Sequence, residues 1–196
     1  MNPPDMLDRI RTIVKDIAQT EVTPRYLNVA HSRKPDGSLF TEADLACQNA
    51  LVEALRALAP LPVVGEEMSD DEHREQWLAG QAGMWCIDPI DGTSNFVNGI
   101  PYFAVSVALM RNGRSEIGVV YDPIADEMFS AELGRGAWLN GTPLPIARKH
   151  KELQQTMAGI EMKRLPMPLL RQVSLYPPYC SQRNFGASTL DWCYVA

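Results

Sequence analysis

The stretch Met84-Trp85-Cys86-Ile87-Asp88-Pro89-Ile90-Asp91-Gly92-Thr93-Ser94-Asn95-Phe96, continuing through Val97-Asn98-Gly99-Ile100-Pro101-Tyr102-Phe103 to Met110, decides how the rest of the chain is read. A short apolar run leads into two carboxylates three residues apart, Asp88 and Asp91, turns at Gly92-Thr93-Ser94, and gives way to a second apolar run. Pro89 fixes φ between the acids and Gly92 permits close backbone approach, so the two side chains are expected to converge. Converging carboxylates want a cation. The N–H groups from Gly92 to Asn95 open a predicted helix and suit an anion beside that cation. A cation next to an anion points to metal-assisted phosphate chemistry.

Working outward, 196 residues are enough for a substantial core in one domain or two small ones. A net charge of -6 argues against a general nucleic-acid footprint, which needs a basic surface. The cysteines at 47, 86, 180 and 193 lack Cys-x-x-Cys spacing, so reduced, mostly buried thiols are expected rather than a zinc site. No apolar run approaches the roughly 18 residues of a membrane span, and the N-terminus lacks a signal peptide's basic start. A cytoplasmic protein without membrane attachment is expected.

Upstream, Met6, Ile10, Ile13, Val14 and Ile17 recur at helical spacing and predict an amphipathic helix over 6–18. His31–Ser38 is turn-rich and leads to a short extended element at Leu39-Phe40. Thr41-Glu42-Ala43-Asp44 then reads as a helix start with Thr41 as N-cap. Leu45, Val52, Leu55 and Leu58 are the expected buried face of that helix, and Pro60 ends it. Leu61–Val64 reads as a strand delivering Gly65-Glu66-Glu67 at its end. Asp70–Glu75, with His73, reads as a solvated helical face.

Downstream, Phe103–Leu109, Ile117–Tyr121, Glu127–Ala131 and Gly136–Leu139 are predicted strands, with Asn112-Gly113 and Asn140-Gly141 as tight turns. The expected fold is α+β: two helices layered on an antiparallel meander, in a domain over 1–148. After the polar Lys149-His150-Lys151 the composition becomes Met- and Pro-rich, and 149–196 is read as a partial second α/β domain. It holds a strand at Met157–Ile160 and Met162, Met167, Leu169 and Leu170 as core. A helix over 187–196 has no stop signal, which suggests a truncated chain.

The residues that carry chemistry are therefore Glu66, at one strand end, and Asp88 and Asp91, at another. Oxygen ligands select Mg²⁺ or Mn²⁺ over zinc, and Mg²⁺ keeps several waters, so a short ligand list suffices. Two such ions about 3.5 to 4 Å apart would activate a water and stabilise the leaving oxygen of a phosphate ester. Asp88 is the natural bridging ligand.

The string Trp85-Cys86-Ile87-Asp88-Pro89-Ile90-Asp91-Gly92-Thr93 is far more specific than two spaced acids, and with Gly65-Glu66-Glu67, Thr41-Glu42-Ala43-Asp44 and Gly118–Pro123 it resembles the inositol monophosphatase family. Gly134–Gly141 and Arg183–Ala196 extend the resemblance over nearly the whole chain. These are magnesium-dependent, lithium-sensitive phosphatases of small phosphorylated metabolites. The resemblance implies that Glu66, Asp88 and the Ile90 carbonyl hold a first metal, and that Asp88 and Asp91 hold a second. It implies that Thr93, paired with Glu66, orients the attacking water, with Asp44 close behind. The N–H groups of Gly92 and Thr93 would bind phosphate, and Gly186–Ser188 would lie near the substrate hydroxyls. Two or three Mg²⁺ ions, inhibition by Li⁺, a homodimer, a small phosphorylated polyol as substrate and a place in phosphatidylinositol phosphate biosynthesis follow as expectations.

The family's Trp-Asp-x-Ala-Gly string, whose aspartate completes the second metal site, is not found before Ala196, so this chain is expected to bind the first metal and turn over poorly. Three other readings stand beside this one. A haloacid-dehalogenase phosphatase would use Asp-x-Asp-Gly-Thr to form an aspartyl phosphate, but here two residues, not one, separate the acids. A binding protein that kept the fold without catalysis is a different class. Within the family, histidinol phosphate, fructose bisphosphate and 3'-phosphoadenosine phosphate are alternative substrates. Specificity is expected around Glu161, Arg183 and Ser188.

Overall fold

The computed structural model describes residues 5–28, 31–33, 39–145 and 152–196. Parts of the His31–Ser38 turn and the Lys149-His150-Lys151 connection, with the expected 148/149 boundary, lie outside the described residues. Helix α1 (Met6–Ile17) buries Leu7, Ile10 and Val14, and runs into a π-helical turn, Ala18–Val22. Strands β1 (His31–Arg33) and β2 (Leu39–Thr41) pair as an antiparallel ribbon, which leads into α2 (Glu42–Leu58).

The start of α2 is a capping box. Thr41 Oγ1 accepts from Ala43 N and Asp44 N, and the Asp44 side chain returns to Thr41 N. Its buried face is Ala43, Asp44, Cys47, Gln48, Leu51 and Leu55. Leu45, expected inside, is 45% exposed. Asp44 anchors the start of the inner face, and residues at +3, +4 and +7 follow it inward, which turns Leu45 outward.

One seven-stranded sheet follows: β3 (Val63–Gly65), β4 (Met84–Asp91), β5 (Ala104–Arg111), β6 (Arg114–Asp122), β7 (Glu127–Glu132), β8 (Gly136–Leu139) and β9 (Thr142–Pro143), in that spatial order. Only the β3–β4 pair is parallel. Helix α3 (Asp70–Ala79) joins those two strands; it buries no residue and is capped by Ser69 with Glu72. Asn112 and Gly113 have φ of 49° and 73°, the left-handed pair that a two-residue hairpin needs.

The alternation in β5 sets the layers. Val105, Val107 and Leu109 belong to the core shared with α1 and α2, while Ala104 packs with Phe129, Ala187 and Leu190 on the opposite face. Small side chains on that second face let a helix approach closely. The helix is α6 (Ser188–Val195), so the architecture is a layered α+β fold.

In chain order β10 (Met157–Gly159) and β11 (Ser181–Arg183), a parallel pair, come after β9 and before α6, with α5 (Met167–Leu175) connecting them. Contrary to expectation, Met162, Met167, Leu169 and Leu170 form no core: α5 buries no residue, and Met167 is 66% exposed. Their apolar character carried no information on whether a partner surface lay within the described residues. The thiols also divide. Cys47 is buried, Cys86 and Cys193 are partly buried, and Cys180 is exposed. No helix of the described residues is long and apolar enough to cross a membrane.

Candidate metal and phosphate site

Three elements deliver acids to one end of the sheet. Asp44 comes from the first turn of α2, Glu66 from the turn after β3, and Asp88 and Asp91 from the last residues of β4. Gly65 pairs with Ile87 in the parallel β3–β4 register, so Glu66 leaves the sheet alongside Asp88. The β4–β5 register shifts between Asp88 and Asp91, a bulge that re-aims the side chains where the strand ends.

Asp88 carries the electrostatic signature of the cluster. Its pKa is pushed up to about 8, first by burial and then by the negative charges of Glu66 and Asp91, against one stabilising hydrogen bond from Ile90 N to Oδ1 at 3.1 Å. Like charges crowded in a partly dry site cannot all ionise without a counter-charge. Burial first, and then the negative charges of Asp44, Asp88 and Glu21, raise the Cys47 thiol well above its ordinary range; that thiol donates to Pro89 O at 3.4 Å.

Among the described residues no three acid, His or Cys side chains already meet around one point as an ion's cage. The donor chemistry nevertheless fits a hard cation: carboxylates, the Ile90 carbonyl, and a protonated Asp88 whose proton a cation would displace. Mg²⁺ in particular retains waters and needs few protein oxygens.

Thr93 Oγ1 lies 3.0 Å from Ile90 O and 3.4 Å from Asp44 Oδ1. The Ile90 carbonyl is thus the nearer acceptor of this hydroxyl, and Asp44 is an acid within its reach beside the Glu66 that the resemblance implies. Asp44 is itself fixed, its Oδ2 accepting from Thr41 N at 2.8 Å and Thr41 Oγ1 at 2.6 Å. Gly92 adopts φ 93°, and a Cβ there would sit 3.1 Å from Ala187 Cβ and 3.2 Å from both Gly186 O and Tyr102 O. This glycine is the N-cap of α4 (Thr93–Val97), so the helix begins two residues after Asp91.

Asp91 is held from the far end of the chain, Oδ2 accepting from Thr189 N and Thr189 Oγ1 at 2.6 Å each. Asn95 Nδ2 donates to Tyr102 O and Phe185 O, both at 2.7 Å, which docks the segment before α6 onto α4. Ser188 is exposed at the start of α6 and, with Asp91, Glu161 and Arg164, lines a cavity of about 700 Å³. Arg183 does not line it; its Nη1 donates to Gln182 O.

Sequence reasoning missed Gln48, Asn95 and Thr189. Gln48 Oε1 accepts from Glu67 N at 3.0 Å and so holds the turn that bears Glu66. Its place one helical turn after Asp44 was the available signal. Thr189 had none, because a contact across 98 residues leaves no local pattern.

The comparisons with known proteins agree with this geometry. A family model described as the inositol monophosphatase family matches residues 8–196. The chain is 36% identical over 169 residues to Nus factor SuhB of Pasteurella multocida, covering 83% of this chain and 61% of that one. It is 34% identical over 176 residues to inositol monophosphatase 1 of Solanum lycopersicum, covering 86% and 63%. The solved structure of a Thermotoga maritima IMPase superposes with a TM-score of 0.82 at 26% identity, over 98% of this chain and 72% of that one. The chain therefore spans less than two thirds of the length of these curated relatives. Motif, fold and match together establish that the chain belongs to the inositol monophosphatase family.

Proposed function

We propose that the chain carries the metal and phosphate site of a phosphatase of small polyol monophosphates, inositol monophosphate foremost, with Mg²⁺ bound at the acid cluster, and that it turns these esters over slowly. The observation that carries this reading is geometric: the parallel β3–β4 register and the bulge in β4 bring Glu66, Asp88 and Asp91 to one end of the sheet, where burial and the neighbouring charges push the Asp88 pKa up. Glu66, Asp88 and the Ile90 carbonyl would hold one ion, and Asp88 with Asp91 a second. The ions supply a nucleophilic water at neutral pH and charge neutralisation for the leaving oxygen. Thr93, whose hydroxyl proton is shared between Ile90 O and Asp44 Oδ1, keeps its oxygen lone pairs for the attacking water, and Asp44 is positioned to draw the water's proton toward the acid cluster. The Gly92 and Thr93 amides at the start of α4 receive the phosphate oxygens. The water oxygen bonds to phosphorus as the P–O ester bond breaks, and the departing alkoxide leaves as the alcohol by taking up the proton that the attacking water gives up. The polyol would extend into the cavity beside Ser188 and Glu161.

Nus factor SuhB, the name of several similar proteins, motivates a second reading, in which the fold serves as a binding factor. Release of inorganic phosphate from a panel including inositol monophosphate, histidinol phosphate, fructose bisphosphate and nucleotide monophosphates separates the two. Mg²⁺-dependent release that Asp88→Asn abolishes supports the phosphatase. Absence of release from every ester, or release indifferent to Mg²⁺ and to Asp88, overturns it.

A further inference from the structure

Helix α6 starts without a cap of its own, since Ala187 at the N-cap position has no side-chain acceptor. The acceptor is supplied from β4. Asp91 Oδ2 takes both the Thr189 amide and the Thr189 hydroxyl at 2.6 Å, while Asp91 Oδ1 takes a hydrogen bond from none of the described residues. A carboxylate oxygen has two lone pairs, and one residue occupies both on Oδ2.

The surroundings make this contact rigid. Gly92 is wedged against Ala187 and Gly186 O, Asn95 bridges Tyr102 O and Phe185 O, and Tyr102 OH donates to Asp191 Oδ1 at 2.8 Å. Asp91 thus cannot rotate to exchange its oxygens without undocking the first turn of α6. The amide would be present with any residue but proline at 189; the hydroxyl is what threonine adds.

We propose that Thr189 is a positioning residue that makes Asp91 a one-oxygen ligand and thereby biases the site toward Mg²⁺ over Ca²⁺. The proposal rests on the metal-site reading above. Mg²⁺ demands near-ideal octahedral geometry and takes carboxylates through one oxygen, whereas Ca²⁺ accepts six to eight oxygens and readily takes a carboxylate through two. With Oδ2 saturated by Thr189, the second oxygen is withheld from Ca²⁺. Removing the hydroxyl returns one lone pair of Oδ2 to the site and favours the larger ion.

The test is calorimetric titration of Mg²⁺ and Ca²⁺ into the metal-free protein and its Thr189→Val, Thr189→Ala and Thr189→Ser variants, with thermal melts to confirm that each is folded. The Ca²⁺-to-Mg²⁺ affinity ratio is expected to rise about tenfold to a hundredfold in Thr189→Val, the worth of one hydrogen bond to a charged group, and to return with Thr189→Ser. Thr189→Ala is read in the same way should Thr189→Val not fold. A merely structural contact would lower the melting temperature and leave the ratio alone. If the wild type binds Mg²⁺ through Asp88 and the ratio is unchanged in the variants, this proposal fails and the metal site stands. If the wild type binds neither ion, both fail.

Discussion

Asp88 stores a conflict that a cation resolves. Burial and the charges of Glu66 and Asp91 raise its pKa to about 8, so the folded protein holds a proton there that the unfolded chain releases near pH 4. Between those values the native state binds more protons than the unfolded state, and stability falls as pH rises. The metal-free protein is therefore expected to melt at progressively lower temperature from about pH 5 to pH 8, a slope that Mg²⁺ flattens. Asp88→Asn removes the conflict: it should raise the metal-free melting temperature at pH 8 while lowering Mg²⁺-dependent phosphate release by roughly 10³-fold or more. Differential scanning calorimetry and a phosphate assay on the same samples check both arms. The acids themselves were legible as Asp88, Asp91 and Glu66, because each follows an apolar run at a strand end. The partner of Thr93 was not, since Asp44 and Glu66 are both acids arriving from upstream, and only the packing of α2 against β4 decides which of them the hydroxyl meets.

At the level of elements, local chemistry was a good guide where it acts locally. The Thr41 cap, the Asn112-Gly113 turn and the large–small alternation of β5 each follow from short-range sterics and hydrogen bonding. The inner face of α2 was harder, because two apolar stripes were open and the buried polar pair Asp44 and Gln48 selects between them. Leu51 lies wholly in the core whereas Leu45 is 45% exposed. Leu51→Ala should cost about 2–5 kcal/mol, and Leu45→Ala should stay within about 0.5 kcal/mol. Urea unfolding of the two variants checks the assignment of the face.

Across the whole molecule, the site is a junction. Helix α2, the β3 turn, the end of β4 and the start of α6 each contribute a group that is useless alone, and the sheet's one parallel pair puts Glu66 and Asp88 side by side. The meander was legible from its turns and alternation. The docking of α6 through Asp91 and Asn95 was not, since it depends on contacts between residues some 90 positions apart or more. If the junction takes up Mg²⁺, the proton on Asp88 must leave. Calorimetric titration of Mg²⁺ at pH 7 in buffers of different ionisation enthalpy counts that proton. Saturable Mg²⁺ uptake with release of about one proton per site, both lost in Asp88→Asn, is the expected result. No uptake, or uptake that Asp88→Asn leaves unchanged, would contradict it.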